Sequence, residues 1–453
     1  MTTSWRSFGA ILCLTFFWTM GASAQTIEKR LSLEEAVGMG VAHNLTLEAA
    51  RQDQAASGWG LRQAYSNWLP KVEVASGYIR LDNETVRRAN VFTDIGRELG
   101  EQFGGAAFDP DDIKPSAYRE SYSTHLAVIQ PIYNGGAEWS GIRMATQAHK
   151  ISQYALKDAE QETTLRIKRA YFGVLKAQEV ISLAQEATSA TEEHLRQVRR
   201  KFEVGSGNRA DVLRWEVQLA QDLGNAVEAE NGLAIARAVL NESMGVGLEE
   251  NWKLVPVSMD EVGAHALPED RIGPSLAVHP SVQTAQACVA LGQTGVRMAQ
   301  SGFAPKINVA YNHSWEQDDT IGLDGDNTWN VSVQAQFPIF NSFGDYAGVR
   351  KAKAEKRRAE TTAENVRKGI LLQATRASLN LKSAHTRISI ARKEVSLAQE
   401  SLRVVQNGYD VGTLSSLDLI DSQLSNSSAR AHLIHAVYDY CIAEAELARA
   451  MGR

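Results

Sequence analysis

The chain has 453 residues, of which 22 % are charged, 44 % apolar and 7 % aromatic, a balance that excludes a wholly disordered chain and a polytopic bundle of membrane helices. Lys and Arg number 47 against 53 Asp and Glu, a net charge of −6 with no long basic block, which argues against electrostatic capture of nucleic acid. Three cysteines are too few for a disulfide scaffold or a Cys-rich metal site, and ten prolines leave room for very long helices.

In chain order, an export signal comes first. Arg6 precedes an apolar run over 8–20 that is too short to span a bilayer, and Ala22-Ser23-Ala24 has the small-x-small form of a signal-peptidase site. Residues 1–24 are expected to be removed before Gln25, and with no cysteine just after that point no N-terminal lipid anchor is indicated. No later stretch reaches the roughly 18 apolar residues of a spanning helix, so any membrane contact must come from strands.

The remainder is one unit written twice. Asn44-Leu45-Thr46-Leu47 and Trp68-Leu69-Pro70-Lys71-Val72 recur 235 positions later as His279-Pro280-Ser281-Val282 and Phe303-Ala304-Pro305-Lys306-Ile307. Pro131-Ile132-Tyr133-Asn134, Phe202-Glu203-Val204-Gly205 and Asp211-Val212-Leu213 recur 207 positions later as Pro338-Ile339-Phe340-Asn341, Tyr409-Asp410-Val411-Gly412 and Asp418-Leu419-Ile420. The first copy therefore holds 28 extra residues (235 less 207) between Pro70 and Pro131. The expected division is a first repeat over 25–245, an irregular equatorial linker over 246–278, and a second repeat over 279–453.

Each copy reads helix, strand, loop, strand, long helix, turn, helix. Pro70 and Pro305 stop the incoming helices. Strands follow at Val72, Val74 and Tyr78, and at Ile307, Val309 and Tyr311. A Gly-, Arg- and Asp-containing loop over 82–120 holds the surplus, and its short acidic counterpart spans 314–327. The next strands alternate with a period of two. Tyr122, Thr124, Leu126, Val128 and Ile132 make one face of the first. Trp329, Val331, Val333, Ala335, Phe337 and Ile339 make one face of the second, with Asn330, Ser332, Gln334 and Gln336 opposite. Asn134 and Asn341 are placed to cap the long helices.

Those helices cover 136–204 and 343–411, roughly 100 Å each at 1.5 Å per residue. Ala384, Ile388, Ala391, Val395, Ala398, Leu402, Val405 and Tyr409 are spaced 4-3-4-3-4-3-4, and Ala177, Ile181, Ala184, Thr188, Thr191, Leu195, Val198 and Phe202 repeat the pattern. This is a coiled-coil seam of small residues. Ile420, Leu424, Ser427, Ala431, Ile434, Tyr438 and Cys441 continue it in the last helix. Short turns over 204–210 and 411–417 make each helix pair an antiparallel hairpin.

The fold class is thus mainly α with a transmembrane β part. Four strands in lipid would leave two unpaired edges, each group costing several kcal/mol, so the sheet must close with other copies. Two chains give eight strands and a filled interior; three give twelve and a lumen, which the polar faces favour.

The chain resembles the TolC family of outer-membrane efflux proteins over essentially its whole mature length. The carriers are Leu31-Ser32-Leu33-Glu34-Glu35-Ala36, His43-Asn44-Leu45-Thr46-Leu47, Leu69-Pro70, His279-Pro280, Ala304-Pro305 and Phe337-Pro338-Ile339-Phe340. With them go Val204-Gly205 and Val411-Gly412, followed by Asp211 and Asp418. The resemblance implies a trimeric twelve-stranded barrel on a twelve-helix periplasmic tunnel in the outer membrane of a Gram-negative bacterium. It implies a passive exit duct for small molecules, in contact with outer-membrane lipid and joined through a periplasmic adaptor to an inner-membrane pump of RND, ABC or MFS type. The alternatives are a duct for type I protein secretion and, more remotely, a periplasmic coiled-coil scaffold. No cofactor, metal or catalysis is expected. Leu414 departs from relatives that carry arginine in the tip turn.

By that resemblance Asp418 and Asp421 face the lumen at the periplasmic aperture. As plain acids at a helix start they would serve the macrodipole alone. Asp211 is the matching acid of the first copy, with Arg214 in place of the second. Tyr409 and Asp211 are candidates for a bond between hairpins, and Val204, Gly205, Val411 and Gly412 for the adaptor contact. His432, His435 and Asp439 read as a solvated face rather than a metal site. Asp318, Asp319, Asp324 and Asp326 read as an acidic surface loop. Cys288 and Cys441 are expected to be free, largely buried thiols.

Overall fold

The computed structural model describes residues 29–104, 109, 113–256, 277–317 and 320–452. The expected signal peptide, Asp318, Asp319 and most of the equatorial linker lie outside the described residues. The first copy runs β1 (Lys29–Leu31), α1 (Leu33–His43), α2 (Leu45–Ser66), β2 (Lys71–Arg80), α3 (Asn83–Phe103), β3 (Glu120–Asn134), α4 (Ala137–Glu203) and α5 (Arg209–Met244). After β4 (Trp252–Leu254) the second copy runs α6 (Pro280–Gln300), β5 (Lys306–Gln317), β6 (Asp326–Gln336), α7 (Gly344–Asp410) and α8 (Ser416–Ala450).

The protein is mainly helical. The helices α4 and α7 each have 67 residues, about 100 Å of rise. Each passes the equator and changes partner there. On the strand side α2 packs beside α4 and α6 beside α7; on the other side α5 takes the place of α2 and α8 that of α6. Every cross-section therefore holds four helices, joined where α4 meets α6 above and α8 below.

The core is thickest at the equator. Ile167, Tyr171 and Val174 of α4 pack with Ala36 of α1, Leu240 and Met244 of α5, and Val437, Tyr438 and Cys441 of α8. Ala384, Ile388 and Ala391 carry the seam along α7, where small side chains let the helices approach. Two expected seam positions fall off it: Phe202 and Leu424 are each 44 % exposed. Cys441 is buried, Cys288 half-buried, and both are free. Burial pushes the Cys441 thiol up to about 11.

Both copies enter through a capped helix. Asn44, 4 % exposed, accepts the N–H groups of Thr46 and Leu47 and donates to the Ser243 carbonyl at 3.0 Å. His279, its equivalent, accepts the Ser281 N–H at 3.2 Å, with Arg449 at 3.1 Å from its other ring nitrogen. Arg449 also reaches Asp158 at 2.7 Å, which ties the end of α8 to α4 and α6.

Other sequence expectations need correction too: β5 runs to Gln317 and β6 covers Asp326–Gln336, so the second loop is shorter than 314–327, Asp326 lies in a strand, and Phe337 and Ile339 fall beyond it. The loop over 82–120 contains a helix, α3, capped by Asp82, which accepts the N–H groups of Glu84 and Thr85. The linker contains β4, which pairs in parallel with β1; three residues are too few for periodicity to announce. Asn134 and Asn341 do not cap the long helices, because Gly135 and Gly136, and then Ser342 and Phe343, carry the chain through left-handed conformations first. A bulge between Pro131 and Tyr133 sets Tyr133, not Ile132, opposite Ile307.

Candidate functional site

Two regions hold the candidate functional residues: the strand wall and the helical tip. The wall is one antiparallel sheet in the order β2-β3-β5-β6. Its register sorts the side chains by face. Val331 and Val333 stand beside Tyr311 and Val309; Tyr311 continues into Val128 and Val72, and on the same face Trp329 continues through His313 into Leu126 and Val74. On the opposite face Asn330, Ser332, Gln334 and Gln336 stand beside Asn312, Ala310, Asn308 and Lys306. Asn312 donates to Asn330 at 3.2 Å, His125 meets Ser314 at 2.8 Å, and Ser121 donates to Glu316 at 2.7 Å, all on that polar face. One apolar and one hydrogen-bonding face is the pattern of a barrel wall between lipid and water.

Aromatic rings collect at both ends of the apolar band. At the outer end His313 stacks on Trp315 with centroids 4.0 Å apart, and Tyr78 meets Tyr122 at 4.9 Å. At the helix end Trp68 meets Trp139 at 4.8 Å and Phe340 meets Phe343 at 5.4 Å. Such rings sit where lipid headgroups meet water. Strand alternation picks out Tyr78, Tyr122, Tyr311 and Trp329 singly but not these girdles, because the partners come from different strands and from helix starts. The polar residues of β5, absent from the sequence expectation, alternate at Asn308, Asn312 and Ser314 as plainly as those of β6.

At the other end the two tip turns share one geometry. Gly205 and Gly412 have φ of 75° and 77°, which only glycine adopts without strain. The N–H of Ser206 reaches back to the Lys201 carbonyl at 2.9 Å, and that of Thr413 to the Gly408 carbonyl at 2.8 Å. Val204 and Val411 are left 78 % and 75 % exposed at the apex. A small core closes behind them: Leu195, Val198, Trp215, Leu419 and Ile420 are buried, with Tyr409 and Val405 against them.

The candidate charged residues have defined partners. Asp418 forms a capping box: its carboxylate accepts the Ser415 N–H at 2.9 Å and hydroxyl at 2.6 Å, while Ser415 Oγ accepts the Asp418 N–H at 3.3 Å. These bonds, the hydroxyl first, hold its carboxyl below the usual range, so the exposed group keeps its charge. Asp421 is exposed one turn further on. Asp211 pairs with Arg214 at 3.4 Å, and the ring of Tyr409 lies 4.8 Å from the Lys201 ammonium. Tyr409 and Asp211 thus have separate partners within one chain. His432 pairs with Glu394 at 3.0 Å and Asp439 with Lys176 at 3.4 Å, a network joining α4, α7 and α8. Burial and the nearby Lys176 lower the His435 pKa.

Comparison with known proteins places this geometry. The family model described as outer membrane efflux protein matches residues 39–246 and 272–453. The outer membrane efflux protein BepC of Brucella suis is 25 % identical over 74 % of this chain and 73 % of its own length. TolC of Vibrio cholerae is 24 % identical over 66 % and 69 %, and the alkaline protease secretion protein AprF of Pseudomonas aeruginosa is 23 % identical over 74 % and 70 %. The crystal structure of the CmeC outer membrane channel of Campylobacter jejuni superposes with a TM-score of 0.78 at 18 % identity, over 93 % of this chain and 85 % of that one. The chain belongs to the outer membrane efflux protein family.

Proposed function

We propose that this outer-membrane efflux channel works as a homotrimer, with β6 of each copy pairing with β2 of the next. The observation that carries this is the sheet order β2-β3-β5-β6, which leaves β2 and β6 as unpaired edges in a wall with one apolar face. In hydrocarbon those edges must be closed. Twelve strands leave a lumen, onto which Asn330, Ser332, Gln334 and Gln336 turn. The helices continue that lumen as a periplasmic tube, twelve per cross-section.

The duct is passive and not enzymatic. A periplasmic adaptor and an inner-membrane pump complete it, and the adaptor grips the exposed turns at Val204, Gly205, Val411 and Gly412, beside Tyr409. The cargo is small molecules; the likeness to a protease secretion protein makes type I secretion the second reading. Residues 1–24 are the export signal, and 25–245 and 279–453 are the two efflux repeats, joined by 246–278.

Three copies bring Asp418, Asp421 and Asp211 around the narrow periplasmic end. At about 8 Å in water a pair of unit charges repels by only about 0.5 kcal/mol, but several act together in a confined passage. Single-channel recording in planar bilayers tests this. Asp418→Asn with Asp421→Asn should lower cation selectivity and block by multivalent cations while assembly is kept. Unchanged selectivity in an assembled double variant would leave these acids as helix caps alone.

A further inference from the structure

Directly above the tip core, between α4, α5, α7 and α8, lies a cavity of about 190 Å³. Its wall carries an acid that coiled-coil packing does not require. Asp222 of α5 is 6 % exposed. Thr191 Oγ1 donates to its Oδ2 at 2.7 Å, and Gln218 Nε2 donates to its Oδ1 at 2.9 Å. Both donors are neutral, and Thr191 and Gln218 are themselves buried.

Among the described residues no basic side chain pairs with Asp222. Arg430, at the rim, bonds Glu186 at 2.7 Å, so those two charges offset each other. Asn426 of α8 lines the same cavity, with its amide oxygen buried and without a partner. A buried carboxylate held only by neutral donors is costly unless a cation or a proton neutralises it. Here a carboxylate, a hydroxyl oxygen and an unpartnered amide oxygen belong to residues lining one cavity, which has space for an ion and a few waters at about 30 Å³ per water.

The donor set defines the ion. It is all oxygen with a single carboxylate free of a basic partner, since Glu186, which also lines the cavity, is held by Arg430, whereas divalent sites usually recruit several acidic ligands. Among the described residues there is no group of three or more His, Cys, Asp and Glu that could hold a metal ion. We propose that the cavity binds a monovalent alkali cation through Asp222, Thr191 and Asn426. The ion ties the α4–α5 hairpin to α8 just behind the tip.

The test uses the full protein in mild detergent, carrying Asp418→Asn and Asp421→Asn so that the aperture acids do not contribute. Thermal unfolding is followed in choline chloride and in sodium or potassium chloride at equal ionic strength. The alkali salts should raise the midpoint by about 3 °C, and adding Asp222→Asn should abolish the difference. An equal rise in the Asp222→Asn protein, or none in its parent, would overturn the proposal. Should Asp222→Asn fail to assemble, crystals of the unsubstituted protein soaked in thallium(I) decide. An anomalous peak within about 3 Å of the Asp222 carboxylate is expected, and its absence overturns the site.

Discussion

The Tyr171 hydroxyl holds the equator at a single point. It lies 3.1 Å from the Leu31 carbonyl and 2.9 Å from that of Val255, and accepts the Val255 N–H at 3.1 Å. Tyr171→Phe removes these contacts while the Val255 N–H keeps the Leu31 carbonyl at 3.1 Å, a loss of about 0.5–1.5 kcal/mol, and should lower the thermal midpoint in detergent. His279 makes a pH-dependent contribution. Burial first and Arg449 second lower its pKa, so the folded state binds fewer protons than the unfolded one below the ordinary histidine value of about 6.5. Its share of stability is complete above that pH and is lost as the pH falls toward the lowered folded value. His279→Asn, which imports the cap that Asn44 provides in the first copy, should make the midpoint fall less between pH 7.5 and 5.5; an unchanged fall would place the dependence on other groups. The equivalence of Asn44 and His279 is legible in the sequence as a repeated motif, but their capping role is not. Nor are the links to Ser243 and Arg449, since they join residues about 170 to 200 positions apart.

At the scale of elements, regular period decided what could be read. The 4-3 spacing along α7 and the alternation along β6 announced both, and the long helices fall within a residue of their expected ends. The helix α3 is the exception: its Phe92, Ile95, Leu99 and Phe103 have the helical spacing 3-4-4, inside a segment rich in Gly, Arg and Asp that reads as a loop, and they remain exposed. It is seated instead by polar bonds, Asn90 to Ala117 and Arg97 to Ile113. Asp82→Ala should cost that helix about 1 kcal/mol, read as faster amide exchange over 83–103 with the barrel unchanged. In β6 neighbouring positions should behave oppositely. Val331→Arg sets a charge on the lipid face, at a cost of about 2–4 kcal/mol near the bilayer midplane, and should deplete assembled protein from outer-membrane fractions. Ser332→Arg, on the polar face, should assemble and shift ion selectivity toward anions in bilayer recordings.

At the scale of the whole molecule, one chain with its four strands is a third of the barrel proposed for it. Its sheet has two open edges, its tip acids carry charge that matters only around an axis, and the valines of its turns face solvent. The proposed aperture, unlike the elements, is not legible in one chain's periodicity, since it would form only between chains. The central claim is closure of a twelve-stranded barrel by three chains, and the mass of the protein extracted in mild detergent tests it most directly. The account predicts a particle of three chains. A stable single chain that still conducts ions across a bilayer would contradict it.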